Sequence, residues 1–436
     1  MCIMSSSPSA NKGWLVTLSG TGINLALGVL YAWSVIAKSL TKDWGWSATM
    51  ASKPYAVACG VFAVMMVFAG RAQDKYGPRV VAALGGALTG IGMIISSFAS
   101  QGDNTLMIIG FGVLAGTGIG LGYASATPPA VKWFPPAKKG LITGIVVSGF
   151  GLASVYISPV TNSLLTSMGI SKTFMVLGIA FFIVTIILSQ FLVNPPAGFV
   201  PKGMPAQSKS SVSANKKHDY DWHEMLKTPQ FYLLWLMYAF ASFAGLMIIG
   251  HLAKIAGKQL PGVELGFILV AILAVGNAGG RIIAGVVSDK LGRTRTMLLV
   301  FTFQAIVMIL LAKATSVPLL IIGALAVGFN YGANLSLFPS TTADYFGTKN
   351  LGVNYGLVFT AWGVGGVFGS MVAGKIVDAT GSYDTAFVVA AVLCVVASAI
   401  TFITKAPRTI TVDKPVLSRI PQMVNPLIDE KDTKSK

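Results

Sequence analysis

Long apolar runs alternate with short polar stretches along almost the whole chain, and twelve of the runs are long enough to cross a membrane. A helix needs about 20 apolar residues to cross the bilayer core, because lipid offers its backbone groups no hydrogen-bond partners. The runs lie at 14–37, 52–70, 80–99, 104–126, 140–165, 171–193, 229–252, 262–287, 295–313, 317–338, 351–375 and 382–404. The pattern predicts an all-α membrane protein with twelve transmembrane helices.

One long polar stretch separates the sixth apolar run from the seventh. Residues 194–228 are rich in Pro, Ser and Lys, a composition typical of a linker. The predicted organisation is an N-terminal six-helix bundle (1–193), a cytoplasmic linker (194–228), a C-terminal six-helix bundle (229–404) and a cytoplasmic tail (405–436). The end of the linker, DWHEMLKTPQF, predicts a short helix at the membrane interface.

Composition excludes an ordinary soluble domain. The chain is 54% hydrophobic and only 11% charged, whereas soluble domains have about 25% charged residues. The mean hydropathy of +0.71 agrees with this contrast. The lipid bilayer is therefore the first partner that the sequence predicts.

The net charge of +17 would suit a nucleic-acid binder, but the distribution of the charges does not. Lys and Arg form short clusters between apolar runs, with no basic face that interleaves aromatic residues. On a twelve-helix topology, 23 of the 32 basic residues fall on the side that holds both termini. The positive-inside rule then predicts cytoplasmic termini in a cell (inner) membrane, and no nucleic-acid partner.

Neither a metal site, a cofactor site nor a catalytic centre is predicted. Cys2, Cys59 and Cys394 are far apart, and His218 and His223 lie in the polar linker, where a solvated segment is the simpler interpretation. The spans hold no cluster of nucleophilic and acid–base residues, and the chain has no phosphate-binding G-x-x-x-x-G-K-[ST] loop. The prediction is that the chain is not an enzyme. A membrane sensor would need a sizeable signalling domain, whereas the linker and tail are short.

An internal repeat divides the chain into two related halves. Gly70-Arg-Ala-Gln-Asp74-Lys75-Tyr-Gly77-Pro-Arg79 follows the second run, and Gly285-Val-Val-Ser-Asp289-Lys290-Leu-Gly292-Arg293 follows the eighth, with the aspartates 215 residues apart. Trp133-Phe134 and Tyr345-Phe346 repeat at a similar offset. Charge pairs at these helix ends predict a conformational gate that locks the halves together in one state. The predicted gating residues are Asp74, Lys75, Arg79, Asp289, Lys290 and Arg293.

These two loops resemble the G-x-x-x-D-[RK]-x-G signature of the major facilitator superfamily. The resemblance spans nearly the whole chain and includes both copies of the motif. It implies two six-helix bundles related by a pseudo-two-fold axis, with a substrate site near the membrane midplane between them.

Arg281 is the one charged residue that lies unmistakably within a span. It precedes Asp289 at the helix end by eight residues, which is about 12 Å of helix rise. A buried guanidinium requires a partner, and the neighbouring spans offer no acidic residue. A substrate carboxylate would bind the planar fork of Arg through two parallel hydrogen bonds. The alternative is that Arg281 bonds to helix-end carbonyls or to water.

Three polar residues accompany Arg281 as candidates for the substrate site. Asn277 lies one turn before it, where it would hold the guanidinium or a substrate hydroxyl, or simply pack between helices. Tyr123 and Tyr331 lie near the centres of their halves, where a phenol can donate to a carboxylate from an apolar wall. Helix packing is the alternative for both phenols.

Four segments resemble the oxalate:formate antiporter group and its relatives, the monocarboxylate porters, including bacterial homologues that carry lactate. The segments are VKWFPPAKKG (131–140), EMLKTPQF (224–231), NAGGRIIAGVVSDKLGR (277–293) and SLFPSTTADYFGTKNLGVNYG (336–356). The resemblance implies that Arg281 receives the substrate carboxylate. Oxalate-carrying members have a second cation, a lysine in the eleventh helix, where this chain has Trp362. One cation suits one carboxylate, so a monocarboxylate such as lactate or pyruvate is favoured, with Leu27, Ile145 and Phe359 assigned from helix position to its methyl end.

Two positions in the first and eighth helices bear on how transport is coupled to protons. Eukaryotic monocarboxylate porters have an aspartate where this chain has Asn277, and a lysine in the first helix where it has Tyr31-Ala-Trp-Ser-Val35. Since arginine does not release its proton, another group must carry the coupled proton. The candidates are His251, Lys38 and Asp378. We predict a monomeric proton symporter of small carboxylate anions, with an anion exchanger as the alternative.

Overall fold

The structure is a computed structural model that describes residues 8–135, 139–196, 199, 218–262, 264–347 and 350–407. At residues 8–11, at Asp74 and at 139–140 the description covers the backbone only.

The N-terminal half consists of six membrane-spanning helices. Helix α1 is built of three successive pieces, Pro8–Leu27, a 3-10 turn at Gly28–Ala32, and Trp33–Asp43. Helices α2 (Ala48–Tyr76) and α3 (Pro78–Ser96) follow, and α4 runs through Thr105–Met107, a π-helical stretch Ile108–Ala115, and Gly116–Lys132. The stretch Lys139–Ser189 holds both α5 (139–168) and α6 (170–189), because Gly169 breaks it with φ 77° and ψ 177°.

The C-terminal half has the same number of spans. They are α7 (Pro229–Gln259), α8 (Gly266–Leu291), α9 (Arg293–Ala312), α10 (Val317–Phe346), α11 (Leu351–Thr380) and α12 (Asp384–Ile403). Before α7, a linker helix at Trp222–Leu226 begins with a capping box, in which Asp221 and Glu224 each bond to the other's backbone N–H. The short helix predicted at the end of the linker is therefore present.

The predicted twelve-helix fold is confirmed. In the described residues, eleven continuous helices are long and apolar enough to cross a membrane, and one of them contains the two spans that Gly169 separates. Several helices run further than the apolar pattern predicts, with α2 ending at Tyr76, α7 at Gln259 and α10 at Phe346. The apolar window stops at the first polar residues, whereas the helix continues as long as its backbone bonds and packing allow.

The turn that ends the second helix of each half has the same backbone in both copies of the repeat. Gly77 has φ 83° and ψ 155°, and Gly292 has φ 90° and ψ 154°. Only glycine adopts this conformation without strain, which explains the repeated glycine. The two six-helix bundles are thus related in local geometry as well as in sequence.

A close crossing of α8 and α10 fixes the position of the polar face of α8. A Cβ atom on Gly280 would lie 1.9 Å from the carbonyl oxygen of Phe329, and one on Gly332 would lie 2.0 Å from the carbonyl oxygen of Asn277. Such distances leave no room for any side chain, so the two backbones touch. Asn277 and Arg281 are held on the side of α8 that this contact leaves free.

Two faces of the molecule are distinguished below. The linker face holds the repeat turns at Gly77 and Gly292 and the linker helix. The distal face lies at the opposite helix ends and includes residues 44–47, 259–262, 264–266 and 380–384.

Candidate functional site

Arg281 reaches from α8 across the interface to α5 of the other half. Its Nε donates to Oδ1 of Asn277 at 3.0 Å, and its Nη1 donates to the carbonyl oxygen of Val147 at 3.0 Å. The predicted pairing of Asn277 with the guanidinium is therefore present. Both acceptors are neutral, so the positive charge is solvated by dipoles and is not cancelled by a counter-ion.

Two donors of this pair are left over. Nη2 of Arg281 and Nδ2 of Asn277 are buried and have no hydrogen-bond partner among the described residues. The amide orientation follows from chemistry, because Nε of arginine only donates and must therefore face the amide oxygen. Two buried donors next to an uncompensated cation form a site that favours an acceptor-only anion.

Gly151 of α5 leaves the space in which this pair sits. A Cβ atom on Gly151 would lie 3.5 Å from Cζ and Nε of Arg281 and 3.5 Å from Cγ of Asn277. That is ordinary van der Waals contact, so an alanine would fit while a longer side chain would displace the guanidinium. The site is therefore made by both halves, with the charge from α8 and the wall from α5.

Tyr331 links the two halves through a chain of hydrogen bonds. Its hydroxyl lies 2.8 Å from the hydroxyl of Tyr31 in α1, and Nε1 of Trp362 in α11 donates to it at 2.7 Å. All three side chains are buried. Tyr331 of α10 is thus held by partners on α1 of the other half and on α11.

Aromatic rings from both halves surround these phenols. Phe62 of α2 contacts Tyr123, Phe150, Phe359 and Trp362, with ring centroids 5.1–5.9 Å apart. Phe359 stacks on Trp362 at 5.0 Å, and Tyr123 also contacts Phe150 at 5.1 Å. We call the set Tyr31, Phe62, Tyr123, Phe150, Tyr331, Phe359 and Trp362 the aromatic cluster.

The aromatic cluster and the guanidinium belong to one site. The electrostatic surroundings of Arg281 contain the phenols of Tyr123, Tyr31 and Tyr331, and no carboxylate of the described residues is among them. The structure therefore brings together five of the seven predicted substrate-binding residues: Arg281, Asn277, Tyr123, Tyr331 and Phe359.

Leu27 and Ile145 are placed within the packing of the N-terminal half. Leu27 is buried, and its Cδ1 would lie 2.3 Å from a Cβ atom on Gly122 in α4. The Ile145 backbone carbonyl accepts a hydrogen bond from Thr21 in α1 at 3.4 Å. Their predicted contact with the methyl end of a substrate stays a prediction.

The three proton-coupling candidates all lie towards the distal face and take part in contacts between the halves. Lys38 of α1 forms an ion pair with Glu264, which precedes α8. The carboxylate of Asp378 at the end of α11 accepts from the backbone N–H groups of Ala48 at 2.7 Å and Thr49 at 2.8 Å. These two N–H groups open α2, so Asp378 caps a helix of the other half.

His251 completes this set of contacts. Its Nε2 lies 3.0 Å from the carbonyl oxygen of Ser370 and 3.2 Å from the hydroxyl of Ser52 in α2, and its Nδ1 lies 2.9 Å from the hydroxyl of Tyr383. Since the carbonyl only accepts, Nε2 carries a hydrogen, and Nδ1 of a neutral ring accepts from Tyr383. We call Lys38, Ser52, His251, Glu264 and Asp378 the distal gate, which is closed here.

The charged residues predicted to lock the halves at the linker face are found in a different arrangement. Arg293 pairs with Asp289 at 2.7 Å and with Asp344 of α10 at 2.8 Å, so this network joins helices of the C-terminal half. Lys75 lies over the ring of Tyr76 at 5.1 Å, and Arg79 and Lys290 are exposed. The side chain of Asp74 lies outside the described residues. The predicted lock between the halves at this face stays a prediction.

Sequence reasoning missed several residues that the structure places at these sites. Tyr31 was noted only for differing from a family pattern, although the mid-span phenol criterion that selected Tyr123 and Tyr331 applies to it equally. Phe62 and Phe150 carry no polar atom, so the sequence offered no signal for them. Glu264 was missed because it lies in a loop, and its partner Lys38 lies 226 residues away.

Comparison with known proteins adds to this geometry. The family model described as Major Facilitator Superfamily matches residues 15–312 and 251–421. The chain is 31% identical to the oxalate:formate antiporter of Oxalobacter formigenes over 394 residues, which cover 89% of this chain and 90% of that protein. It is 27% identical to monocarboxylate transporter 12 of Xenopus laevis over 334 residues, which cover 72% and 71% of the two chains.

Among solved structures, the chain resembles a bacterial homologue of the human lysosomal transporter Spinster, described as inward-facing and unoccupied. The TM-score is 0.65 at 18% identity, over 92% of this chain and 98% of that one. At this identity the likeness concerns the fold.

Proposed function

The chain belongs to the major facilitator superfamily, in the group of the oxalate:formate antiporter and the monocarboxylate transporters, and we propose that it transports small monocarboxylates such as lactate or pyruvate in symport with protons. The proposed location is the cell (inner) membrane, with both termini cytoplasmic and the linker face towards the cytoplasm. The positive-inside distribution of Lys and Arg supports that orientation. We expect the transporter to act as a monomer.

The observation that supports an anionic substrate most directly is the pair of unused donors. Nη2 of Arg281 and Nδ2 of Asn277 are buried without partners, beside a cation that has only neutral acceptors. A carboxylate supplies one negative charge and acceptor lone pairs, and it has no hydrogen to clash with either donor. Binding would therefore neutralise the site and satisfy both donors in one step.

A single carboxylate fits the charge balance of this site better than two. Arg281 supplies one positive charge beside the phenols of Tyr31, Tyr123 and Tyr331. Trp362 stands where oxalate-carrying relatives are expected to have a lysine, and its ring stacks on Phe359. The second end of the substrate would therefore meet an apolar wall, which suits the methyl group of lactate or pyruvate.

Symport requires the empty transporter to change conformation, and the neutral partners of Arg281 make this easier. In the empty site the guanidinium is solvated by Oδ1 of Asn277 and the carbonyl oxygen of Val147. These dipoles lower the cost of holding the cation without a counter-ion. Arg281 itself does not titrate, so the coupled proton is assigned to the distal gate, with His251, Lys38 and Asp378 as candidates.

Exchange of small mono- and dicarboxylates is the second candidate. The 31% identity to a protein named as an oxalate:formate antiporter favours it. An exchanger changes conformation only with substrate bound, when the charges of Arg281 and a monoanion sum to zero.

Uptake of labelled L-lactate into proteoliposomes, with and without an inward proton gradient, tests the proposal. The natural chain should accumulate lactate when the gradient is present. Arg281→Ala should reduce uptake by about 100-fold or more, since loss of a buried charge pair costs about 3–5 kcal/mol. Arg281→Lys should retain part of the activity, because it keeps the charge and loses the fork.

Lys313→Ala is the matched control, because Lys313 is an exposed cation at the end of α9. It should leave uptake unchanged. Absence of net uptake, together with rapid exchange when the lumen is preloaded with oxalate or formate, would replace symport by exchange. Full activity of Arg281→Ala would remove the proposed anion site.

A further inference from the structure

Lys254 is a buried lysine of the distal side that the proposed function does not use. It lies on α7, one turn after His251, and the residue is only 8% exposed. Its Nζ atom is buried and has no hydrogen-bond partner among the described residues. A lysine ammonium carries three donors and normally keeps them in water or on acceptors, so this position is unusual.

The carboxylate that attracts Lys254 is occupied elsewhere. The side chains of Asp378 and Lys258 lie in the electrostatic surroundings of Lys254. Both carboxylate oxygens of Asp378, however, accept hydrogen bonds from the first N–H groups of α2, which belongs to the other half. In the closed distal gate Asp378 therefore serves the contact between the halves.

The groups around Lys254 are otherwise paired. The titratable or charged side chains nearest this part of α7 are His251 and Lys258 on α7, Lys38 on α1, Tyr55 on α2, Glu264 before α8, Asp378 on α11 and Tyr383 before α12. The same elements also carry Lys42, Asp43, Lys375 and Asp384, which are exposed. Lys38 and Glu264 pair with each other, Lys258 donates to the carbonyl oxygen of Gly381, and His251 is bonded at both ring nitrogens. Lys254 is thus the group whose ammonium form would have no hydrogen-bond partner in the closed gate.

We propose that Lys254 is the proton-binding site of the distal gate, holding a neutral amine while the gate is closed and an ammonium ion while it is open. This inference rests on the proposed function, to which it adds regulation of the distal gate by protons. Lys254 is distinct from His251, Lys38 and Asp378, which act in the gate as contacts between the halves.

The mechanism follows from what opening does to Asp378 and to water. Separation of α2 from α11 frees both oxygens of Asp378 and admits solvent, so an ammonium ion at position 254 gains a counter-ion and hydration. The amine then takes one proton from a hydronium ion, and water is left. Closure caps α2 with Asp378 again and expels the solvent, so the ammonium gives its proton to the water that leaves on the distal side.

The open gate consequently binds one proton more than the closed gate. By linkage, each unit of acidification on the distal side raises the open-to-closed ratio by up to tenfold, which is the limit for a single proton. The effect needs no substrate. It is therefore measurable whether or not lactate is the cargo.

The test measures opening of the gate as a function of pH in lipid nanodiscs without substrate. Spin labels at Lys42→Cys and Lys313→Cys, two exposed positions at the distal ends of α1 and α9, report the distance between the halves. The background cysteines Cys2, Cys59 and Cys394 are replaced by serine or alanine. The labelled natural sequence should shift to the longer distance as the pH falls.

Two substitutions at the site have opposite expected results. Lys254→Met, which is similar in length and uncharged, should keep the gate closed at low pH. It should also abolish the change in the open-to-closed ratio of up to tenfold per pH unit. Lys254→Arg, which stays charged, should keep the gate open at every pH tested. Lys172→Met is the matched control, since Lys172 is an exposed lysine at the distal start of α6, and it should retain the natural response.

A pH response of Lys254→Met equal to that of the natural sequence would overturn the proposal. So would a loss of the response in His251→Gln with an intact response in Lys254→Met, which would assign the proton to the imidazole. Failure of lactate uptake in the natural chain would count against the proposed function and leave this measurement unaffected. If both lysine variants fail to fold, the same distances are recorded for Asp378→Asn, which removes the counter-ion of the ammonium in the open gate and should reduce the pH dependence of opening. An undiminished pH dependence in this variant would overturn the proposal.

Discussion

The central site and the distal side of the molecule each contain a buried basic side chain, and the two side chains differ in what surrounds them. Arg281 has two neutral acceptors in the protein, whereas Nζ of Lys254 has no hydrogen-bond partner among the described residues. Arginine keeps its proton under all physiological conditions, and lysine is able to lose its proton when it is buried. The residue types therefore match their surroundings.

This difference indicates how one protein can bind an anion and respond to protons at separate places. A permanent charge with dipolar partners remains available to a carboxylate in every state of the transporter. Lys254 is charged only when opening of the gate releases Asp378, so its charge depends on whether the gate is open. Changes at the centre should therefore act on substrate affinity, while changes at the gate should act on the equilibrium between conformations.

Asn277→Asp should have the largest effect on the division between anion binding at the centre and proton response at the gate, because it places a titratable group beside the permanent cation Arg281. The carboxylate would pair with Arg281 at neutral pH and compete with the substrate. Close charge pairs couple by at least about 1.5 kcal/mol, so we expect lactate affinity to fall roughly 30-fold, which corresponds to about 2 kcal/mol. Protonation of the new carboxyl group at lower pH should restore part of the affinity.

Lactate binding measured by calorimetry across pH 5–8 checks this expectation. Asn277→Gln, which keeps an amide, is the control and should show no new pH dependence. An affinity of Asn277→Asp that equals that of the natural chain at pH 8 would mean that Asn277 does not touch the substrate site.

Tyr331→Phe tests the next strongest contact, the chain that joins the phenols across the halves. Removing its hydroxyl leaves the buried donor Nε1 of Trp362 without its acceptor and deprives Tyr31 of its partner. A buried donor left unsatisfied costs about 1–3 kcal/mol, so lactate transport should fall about tenfold. Tyr232→Phe, which removes an exposed hydroxyl at the start of α7, is the matched control and should leave transport unchanged.

The same variant distinguishes the centre from the gate. Tyr331→Phe should leave the pH response of the distal labels intact, since none of the hydrogen bonds of the gate includes Tyr331. A loss of that response would show that the aromatic cluster, and not Lys254, sets the equilibrium of the gate.

The sequence predicted the helices and the central cation because their physical signals are local. Twenty apolar residues in a row, or one guanidinium among them, need no knowledge of neighbours to be interpreted. The repeat of Asp74 and Asp289 likewise appears in the sequence itself, and the matching backbone angles at Gly77 and Gly292 confirm the repeated turn. The fold could therefore be predicted almost completely.

Contacts between distant parts of the chain could not be predicted in the same way. Asp378 acts on Ala48, which lies 330 residues earlier, and a carboxylate at a helix end has many other possible partners. Lys254 resembled an ordinary lysine near a helix terminus, and only the packed structure shows that its Nζ is buried. The predicted roles of Arg79 and Lys290 depend on such contacts too, which is why they stay predictions.

Glu264→Gln should have the smallest effect, although it removes the most obvious ion pair of the gate. The hydrogen bond from Lys38 and the charge of Lys38 lower the pKa of Glu264 below its ordinary value of 4.5. The ionised form therefore stabilises the closed gate above that ordinary value, and the contribution is lost only as the pH falls through the lowered pKa. Glu264 therefore stays ionised between pH 5 and 8.

The side chain of Glu264 is 75% exposed, so water screens the pair strongly. Exposed ion pairs contribute about 0.5 kcal/mol, which would shift the open-to-closed ratio roughly twofold towards the open gate. The shift should be the same at pH 5.5 and pH 7.5 and should weaken in high salt, as the spin-label distances would record. A shift that grows with acidification in this range would make Glu264 part of the proton site. It would then be wrong that Lys254 changes its protonation with the gate while the ion pair of Lys38 and Glu264 keeps its charges.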